Sequence, residues 1–403
     1  MSKRVAPVAT AVAAALMTST AWSAASWQFD PAVEVGVLAS DNYTLARGAV
    51  PESDVFGPYA DVALTWLGRT PQTQMEFKPR VRAANFPGDS EQNSTSGYLD
   101  FRLDHDGEKS RSGFLARYTD EYIVDSELRG AAPGGGDLGQ GGGPDAGRVT
   151  VDNRRQLLEA DPYARFALSE RTWIRGDLSY IDVSFDNEVI GSQQSYSTWT
   201  AGLGLGRDLT PNSALSLTAR HSRYQPDAIG ADIDTNGLRA QWDYRVAERM
   251  TAYVRGGVDR TDAPPGSTSS STTTPLFGVG AQWQFQRSAL FLDVLREVDA
   301  NASGFVVKRN EIRVWGTHNF TQRLQGFAAL YGVRDSAVQD TAAYAPRRYL
   351  NASAGMDWRF TRTFALAGQV SHSYQKFRGE ADSADGTNVE VSIIWRPNRL
   401  DPR

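Results

Sequence analysis

Apolar and polar residues alternate with a period of two along most of this chain, and the alternation recurs about eighteen times. Thr73, Met75, Phe77, Pro79, Val81 and Ala83 are apolar or small, and Gln74, Glu76, Lys78, Arg80 and Arg82 interleave with them. Leu238, Ala240, Trp242, Tyr244 and Val246 interleave with Arg239, Gln241, Asp243 and Arg245. Phe277, Val279, Ala281, Trp283 and Phe285 follow, then Leu350, Ala352, Ala354, Met356, Trp358 and Phe360, and finally Val389, Val391, Ile393 and Trp395. Such runs predict antiparallel strands with one greasy and one polar face. They are longer than the strands of ordinary soluble sheets and suit a tilted crossing of a bilayer. Aromatics gather at strand ends: Trp66, Trp173, Trp283, Phe285, Phe320, Trp358, Phe360 and Trp395. An interfacial girdle belongs there.

Short and long connections take turns. The short ones form a loose repeat, as in Leu67-Gly68-Arg69-Thr70, Val246-Ala247-Glu248-Arg249-Met250, Phe320-Thr321-Gln322-Arg323-Leu324 and Phe360-Thr361-Arg362-Thr363. Each sits between two alternating runs and reads as a tight periplasmic turn. The long ones are polar and rich in Gly, Ser or Asp, near 41–54, 87–96, 124–154, 186–195, 225–235, 261–275, 299–306, 335–346 and 377–386. The expected fold is all-β: a transmembrane antiparallel up-and-down β-barrel of about 18 strands, with about 16 as the alternative. Short turns would face the periplasm and long loops the exterior.

Lys3 and Arg4 precede an apolar stretch from Val5 to Met17 and small residues through Ala25. This is the pattern of a secretory signal peptide. The expected division is therefore a signal peptide over 1–25 and one barrel over 26–403, in the bacterial outer membrane. The chain has 403 residues and no Cys, which excludes disulfides and thiolate metal sites. Formal net charge is -5, and losing Lys3 and Arg4 with the leader makes the remainder two units more negative. That balance disfavours nucleic acid as a partner. Mean hydropathy is -0.43, and no apolar run after the leader is long enough for a membrane helix. A barrel passes unseen by that test, because only every second strand residue meets lipid.

The text Val35-Gly36-Val37-Leu38-Ala39-Ser40-Asp41-Asn42-Tyr43, followed by Glu52-Ser53-Asp54-Val55-Phe56, resembles the outer-membrane β-barrel porins found with exopolysaccharide biosynthesis systems. The resemblance covers most of the chain after the leader in pattern, but its specific text is short. It implies the outer-membrane step of polysaccharide secretion, alongside periplasmic export proteins, and it carries no catalytic residues. One departure is that the chain continues past Trp395 to Arg403. Trp395 would then have to serve as the terminal aromatic.

If apolar residues face lipid, their neighbours face the lumen. The pore-lining candidates are Arg80, Arg82, Arg102, Arg117, Arg165, Arg175, Arg239, Arg245, Arg255, Arg313 and Arg359, with Arg220 beside them. Interleaved acids are Glu76, Asp100, Asp104, Asp177, Asp243, Asp293 and Asp357. The set reads as a basic wall that favours anionic solutes, with guanidinium groups contacting carboxylates such as those of uronic-acid sugars. Any one arginine could equally pair across strands and stiffen the wall. Tyr180 and Tyr253 are candidates to stack on sugar rings. The long Gly-rich loop 124–154 could fold inward and narrow the pore, or stay outside. The partners expected are outer-membrane lipid, a polysaccharide or small anionic solute, and periplasmic export proteins. The leading function is a pore for an exported, anionic exopolysaccharide. The alternatives are a general or solute-specific uptake porin and, at low weight, a barrel enzyme.

Two chemical signals carry little. Asp232-Ile233-Asp234-Thr235-Asn236-Gly237 opens like a calcium loop, but strand alternation follows it where a helix should. His221-Ser222 and His372-Ser373 read as repeated strand ends and, with His105 and His318, make no catalytic set. No catalytic residue, metal or cofactor is expected.

Overall fold

The computed structural model describes residues 25–46, 48, 52–124, 153–188, 193–227, 232–262, 271–302, 305–338 and 344–397. Residues 1–24, nearly all of the expected signal peptide, the body of loop 124–154 and the last six residues fall outside the described residues.

Eighteen strands of 12 to 15 residues make one closed sheet. They are β1 Ser26–Ser40, β2 Val55–Arg69, β3 Thr73–Ala84, β4 Ser94–Asp106, β5 Ser110–Tyr122 and β6 Arg154–Ala167. Next come β7 Thr172–Phe185, β8 Tyr196–Thr210, β9 Ser213–Pro226, β10 Ile233–Ala247, β11 Met250–Thr261 and β12 Thr272–Gln284. The series ends with β13 Ser288–Ala300, β14 Val306–Asn319, β15 Leu324–Ala337, β16 Arg347–Arg359, β17 Phe364–Phe377 and β18 Ala384–Trp395. Every strand pairs antiparallel with its neighbours in sequence, and β1 pairs with β18 from Val33↔Trp395 to Ser40↔Asn388. That seam removes the free edges, so backbone groups at bilayer depth find partners within the sheet.

The period-two pattern produces this closure because the two faces meet different solvents. Val62, Leu203, Leu217, Val254, Val279, Met356, Val370 and Ile393 stand exposed on the convex face. Trp66, Trp283, Trp358 and Trp395 are also exposed, near the short-turn end. Trp283 stacks on Phe285 with centroids 5.0 Å apart, and Trp27 tilts against Trp66 at 5.4 Å. Exposed apolar surface of this extent would be costly in water and is what lipid requires. Pro79 and Pro162 lack an N–H, and the β2–β3 and β6–β7 ladders skip at those positions without losing their phase.

One girdle expectation is corrected. Trp173 shares a face with Arg165 and Arg175, pairs in register with Ala167 and Gly206, and points inward. A Cβ added at Gly206 would meet its ring, so the glycine makes room for the indole.

Candidate functional site

Side chains from non-adjacent strands can meet only on the concave face, so contacts that skip a strand mark the lumen. Arg82 on β3 reaches Glu390 on β18 at 3.3 Å. Tyr163 on β6 donates its hydroxyl to Asp104 on β4 at 2.7 Å. Arg239 on β10 and Arg255 on β11 both reach Glu297 on β13, at 3.5 and 2.7 Å. Strand alternation carries the assignment to Arg80, Arg102, Arg117, Arg165, Arg175, Arg220, Arg245, Arg313 and Arg359. All the pore-lining candidates therefore point into the lumen. Of the two proposed sugar platforms, Tyr253 does so and Tyr180 does not. Tyr180 lies on the convex face opposite Trp199, 40% exposed, with its hydroxyl 3.1 Å from Asp182.

The expectation of a basic wall is corrected too. Arg80 meets Asp61 at 2.9 Å, and Arg117 bridges Asp100 and Glu159 at 2.9 and 3.2 Å. Arg239 also holds Asp259 at 3.0 Å, Arg102 holds Asp104 at 2.7 Å, Arg175 faces Asp177 at 3.6 Å, and Arg313 pairs with Glu311. The wall is a lattice of alternating charge. Neighbouring strands supply the opposite charge for Arg80, Arg117 and Arg239, an arrangement that stabilises a sheet face, while Arg102, Arg175 and Arg313 meet acids two residues away on their own strands. Arg165, Arg245 and Arg359 form no ion pair among the described residues. All three lie toward the short-turn end.

Aromatic rings are part of the same lattice. Guanidinium carbons lie over ring centroids at 4.2 Å for Arg82 on Tyr59, 4.2 Å for Arg165 on Trp173 and 4.9 Å for Arg175 on Tyr163. Arg347 lies 4.4 Å over Tyr349, and Phe291 stacks on Trp315 at 5.7 Å. Cation–ring contacts of this kind contribute about 0.5–2 kcal/mol each.

The lattice dries toward the long-loop end. The side chains of Arg102 and Arg175, near the turns, are 49% and 47% exposed to the lumen, whereas Arg155 and Glu121 are 4% and 6% exposed, paired at 2.6 Å. Above them lies an apolar collar. Leu38, Val55, Tyr59, Leu157, Val183, Phe185, Tyr196, Tyr224, Ile233, Leu276 and Val306 contribute from around the circumference. Loop residues Tyr43, Phe86, Val124, Ala302 and Val338 complete the same buried cluster. Loops and strand ends bond to each other across the opening. Gln194 N–H donates to Ala302 O at 2.7 Å, and the Tyr224 hydroxyl donates to Asn301 O at 2.8 Å. Leu45, from the β1–β2 loop, adopts φ of 50° and packs with Tyr331, Val333 and Tyr349. Whether loop 124–154 folds inward concerns residues outside those described, but its described neighbours Val124 and Asn153 are buried.

Arg155, Arg309, Arg347 and the collar are absent from the sequence expectation. They sit at strand–loop boundaries, where too few residues remain to phase an alternation. All four histidines occupy the convex face. Each Nδ1 pairs with its in-register partner: His105 with Thr73, His221 with Asn236, His318 with Ser288 and His372 with Thr387, at 2.7 to 3.2 Å. The four are therefore separate structural contacts. Asp234, in the calcium-like text, is held by Arg223 at 2.7 Å.

No family model and no curated protein matches the chain. Solved structures similar to it include the outer membrane protein opdK from Pseudomonas aeruginosa: 10% identity, 92% of this chain, 99% of that one, TM-score 0.45. OccAB4 from Acinetobacter baumannii is similar at 11% identity, over 92% and 98%, with TM-score 0.42. The ferric enterobactin receptor PfeA from Pseudomonas aeruginosa, as a mutant, is similar at 8%, over 91% and 80%, with TM-score 0.43. These likenesses are too distant to bear on what the lumen passes.

Proposed function

We propose that this outer-membrane barrel is a passive channel for an exported anionic polysaccharide, working with periplasmic export proteins at its short-turn rim. One observation supports this above others: the half-buried rings of Tyr163, Trp173, Phe291 and Trp315 stand on the lumen wall among guanidinium and carboxylate groups. Sugar rings stack on the first through their C–H faces and hydrogen-bond the second through their hydroxyls. Arg165, Arg245 and Arg359, which form no ion pair among the described residues, lie toward the short turns, where a uronic carboxylate arriving from inside would meet them first. The resemblance of the first loop to exopolysaccharide-associated porins points the same way. No covalent step is assigned to any residue.

Uptake of small polar solutes would use the same wall, and the charge balance of the lattice favours that second reading as a general porin. Deleting the chromosomal copy separates the two. Loss of extracellular polysaccharide with accumulation in the periplasm supports export. Normal secretion combined with slowed solute entry would sink it. In planar bilayers, an acidic oligosaccharide added on the short-turn side should block current at lower concentration than a neutral one of equal length.

A further inference from the structure

The convex face carries a second charged feature near its long-loop end. Arg296 on β13, Asn310 on β14, Arg334 on β15, Arg348 on β16 and Lys376 on β17 are consecutive register partners across five strands. Their sequence neighbours Arg309, Asp335, Arg347 and Gln375 are buried on the concave side, so this row points outward. Arg334 stands directly opposite Arg348, and Arg348 directly opposite Lys376. Like charges opposed in a sheet are destabilising. Elsewhere on the same face and end, arginines meet acids: Arg154 with Asp120 at 2.5 Å, Arg223 with Asp234 at 2.7 Å and Arg260 with Asp262 at 3.9 Å. Among the described residues, none of Arg296, Arg334, Arg348 and Lys376 forms an ion pair. Arg296 instead donates to Asn310 at 2.7 Å and lies over Phe277. The nearest outward carboxylate in register is Asp385, opposite Tyr374 rather than Lys376.

The next outward row toward the turns is Ile312, Gly332 and Leu350, about 7 Å away along the strands. The cations thus sit immediately above lipid-facing apolar surface, on the side of the long outer loops. We propose that the Arg296–Lys376 row binds the phosphate groups of an outer-leaflet lipid, whose acyl chains lie on the apolar band beneath. A multiply charged headgroup shared by Arg334, Arg348 and Lys376 relieves their repulsion and satisfies guanidinium donors bidentately. The proposal needs only the outer-membrane setting and is independent of the cargo.

The test uses the purified protein in phosphatidylcholine nanodiscs, titrated with lipid A and followed by native mass spectrometry. Wild type is expected to bind lipid A with an affinity that weakens as salt rises. The triple variant Arg334→Gln, Arg348→Gln, Lys376→Gln should bind roughly a hundredfold more weakly. Arg223→Gln, on the acid-paired side, should match wild type. Inorganic pyrophosphate at equal concentration should not displace the lipid. Triple-variant binding within about twofold of wild type, or equal binding of dephosphorylated lipid A, overturns the proposal. Displacement by pyrophosphate alone overturns the lipid as the ligand. Should the triple variant fail to fold, Arg348→Gln alone should cost about fivefold, and an unchanged affinity there is decisive against the site.

Discussion

The ring of Tyr43 stands edge-on to that of Phe86, with centroids 5.3 Å apart, and joins the first outer loop to the second over the barrel mouth. Both rings are almost wholly buried. Tyr43→Ala combined with Leu45→Ala should raise single-channel conductance severalfold. The same pair should cost about 2–5 kcal/mol for each buried side chain removed. Unchanged conductance in planar bilayers would show that this loop does not narrow the path.

The drying of the ionic lattice predicts unequal costs for similar substitutions. Arg239→Met leaves Asp259, which is 3% exposed, without its cation, and should destabilise by about 3–5 kcal/mol. Arg102→Met, half exposed and close to the turns, should cost less than about 1 kcal/mol. Urea unfolding in lipid vesicles compares them, and equal costs would contradict the gradient.

Closure of the barrel depends on Gly36 at the β1–β18 seam. A Cβ there would lie 2.5 Å from Val391 O and 2.7 Å from the Ser392 Cβ. Gly36→Val should therefore abolish the fast-migrating folded band on unheated gels. Gly368→Ala, on β17 with nothing near its added Cβ, should retain it.

Indole placement separates lipid from lumen. In single-tryptophan variants, Trp283 and Trp358 should be quenched by brominated lipid. Trp315, stacked on Phe291 inside, should not. Equal quenching of all three would reverse the assignment of faces.

Charge reversal at Arg245 and Arg359 should shift the reversal potential toward cations. Reversal at Arg117, held between Asp100 and Glu159, should instead weaken folding. A reversal potential that does not move would remove these two arginines from ion selection.

Strand number, direction and facing were legible in the chain because period-two alternation survives even at Pro79 and Pro162. Every pore-lining arginine could be phased by its neighbours. The partners that skip a strand could not be, because the contact from Arg82 to Glu390 joins residues 308 apart in sequence, and alternation says nothing about shear. Tyr180 and Trp173 were misplaced for a different reason. Both lie on β7 with inward Arg175: Trp173, two residues away, shares its face and Tyr180, five residues away, takes the other, so the strand's own alternation fixes both against what ring chemistry alone suggested. The collar was invisible because Tyr43 and Leu45 belong to a polar-looking loop, and their burial depends on what the barrel offers them.

A channel of the proposed kind would be a hazard to a cell that relies on its envelope to exclude large toxic molecules. The collar addresses this hazard mechanically. A solute entering at the long-loop end meets knitted loops and apolar packing, whereas one entering at the short-turn end meets half-exposed charged side chains first. The barrel is thereby asymmetric along its axis, hard to invade from outside and accessible from within.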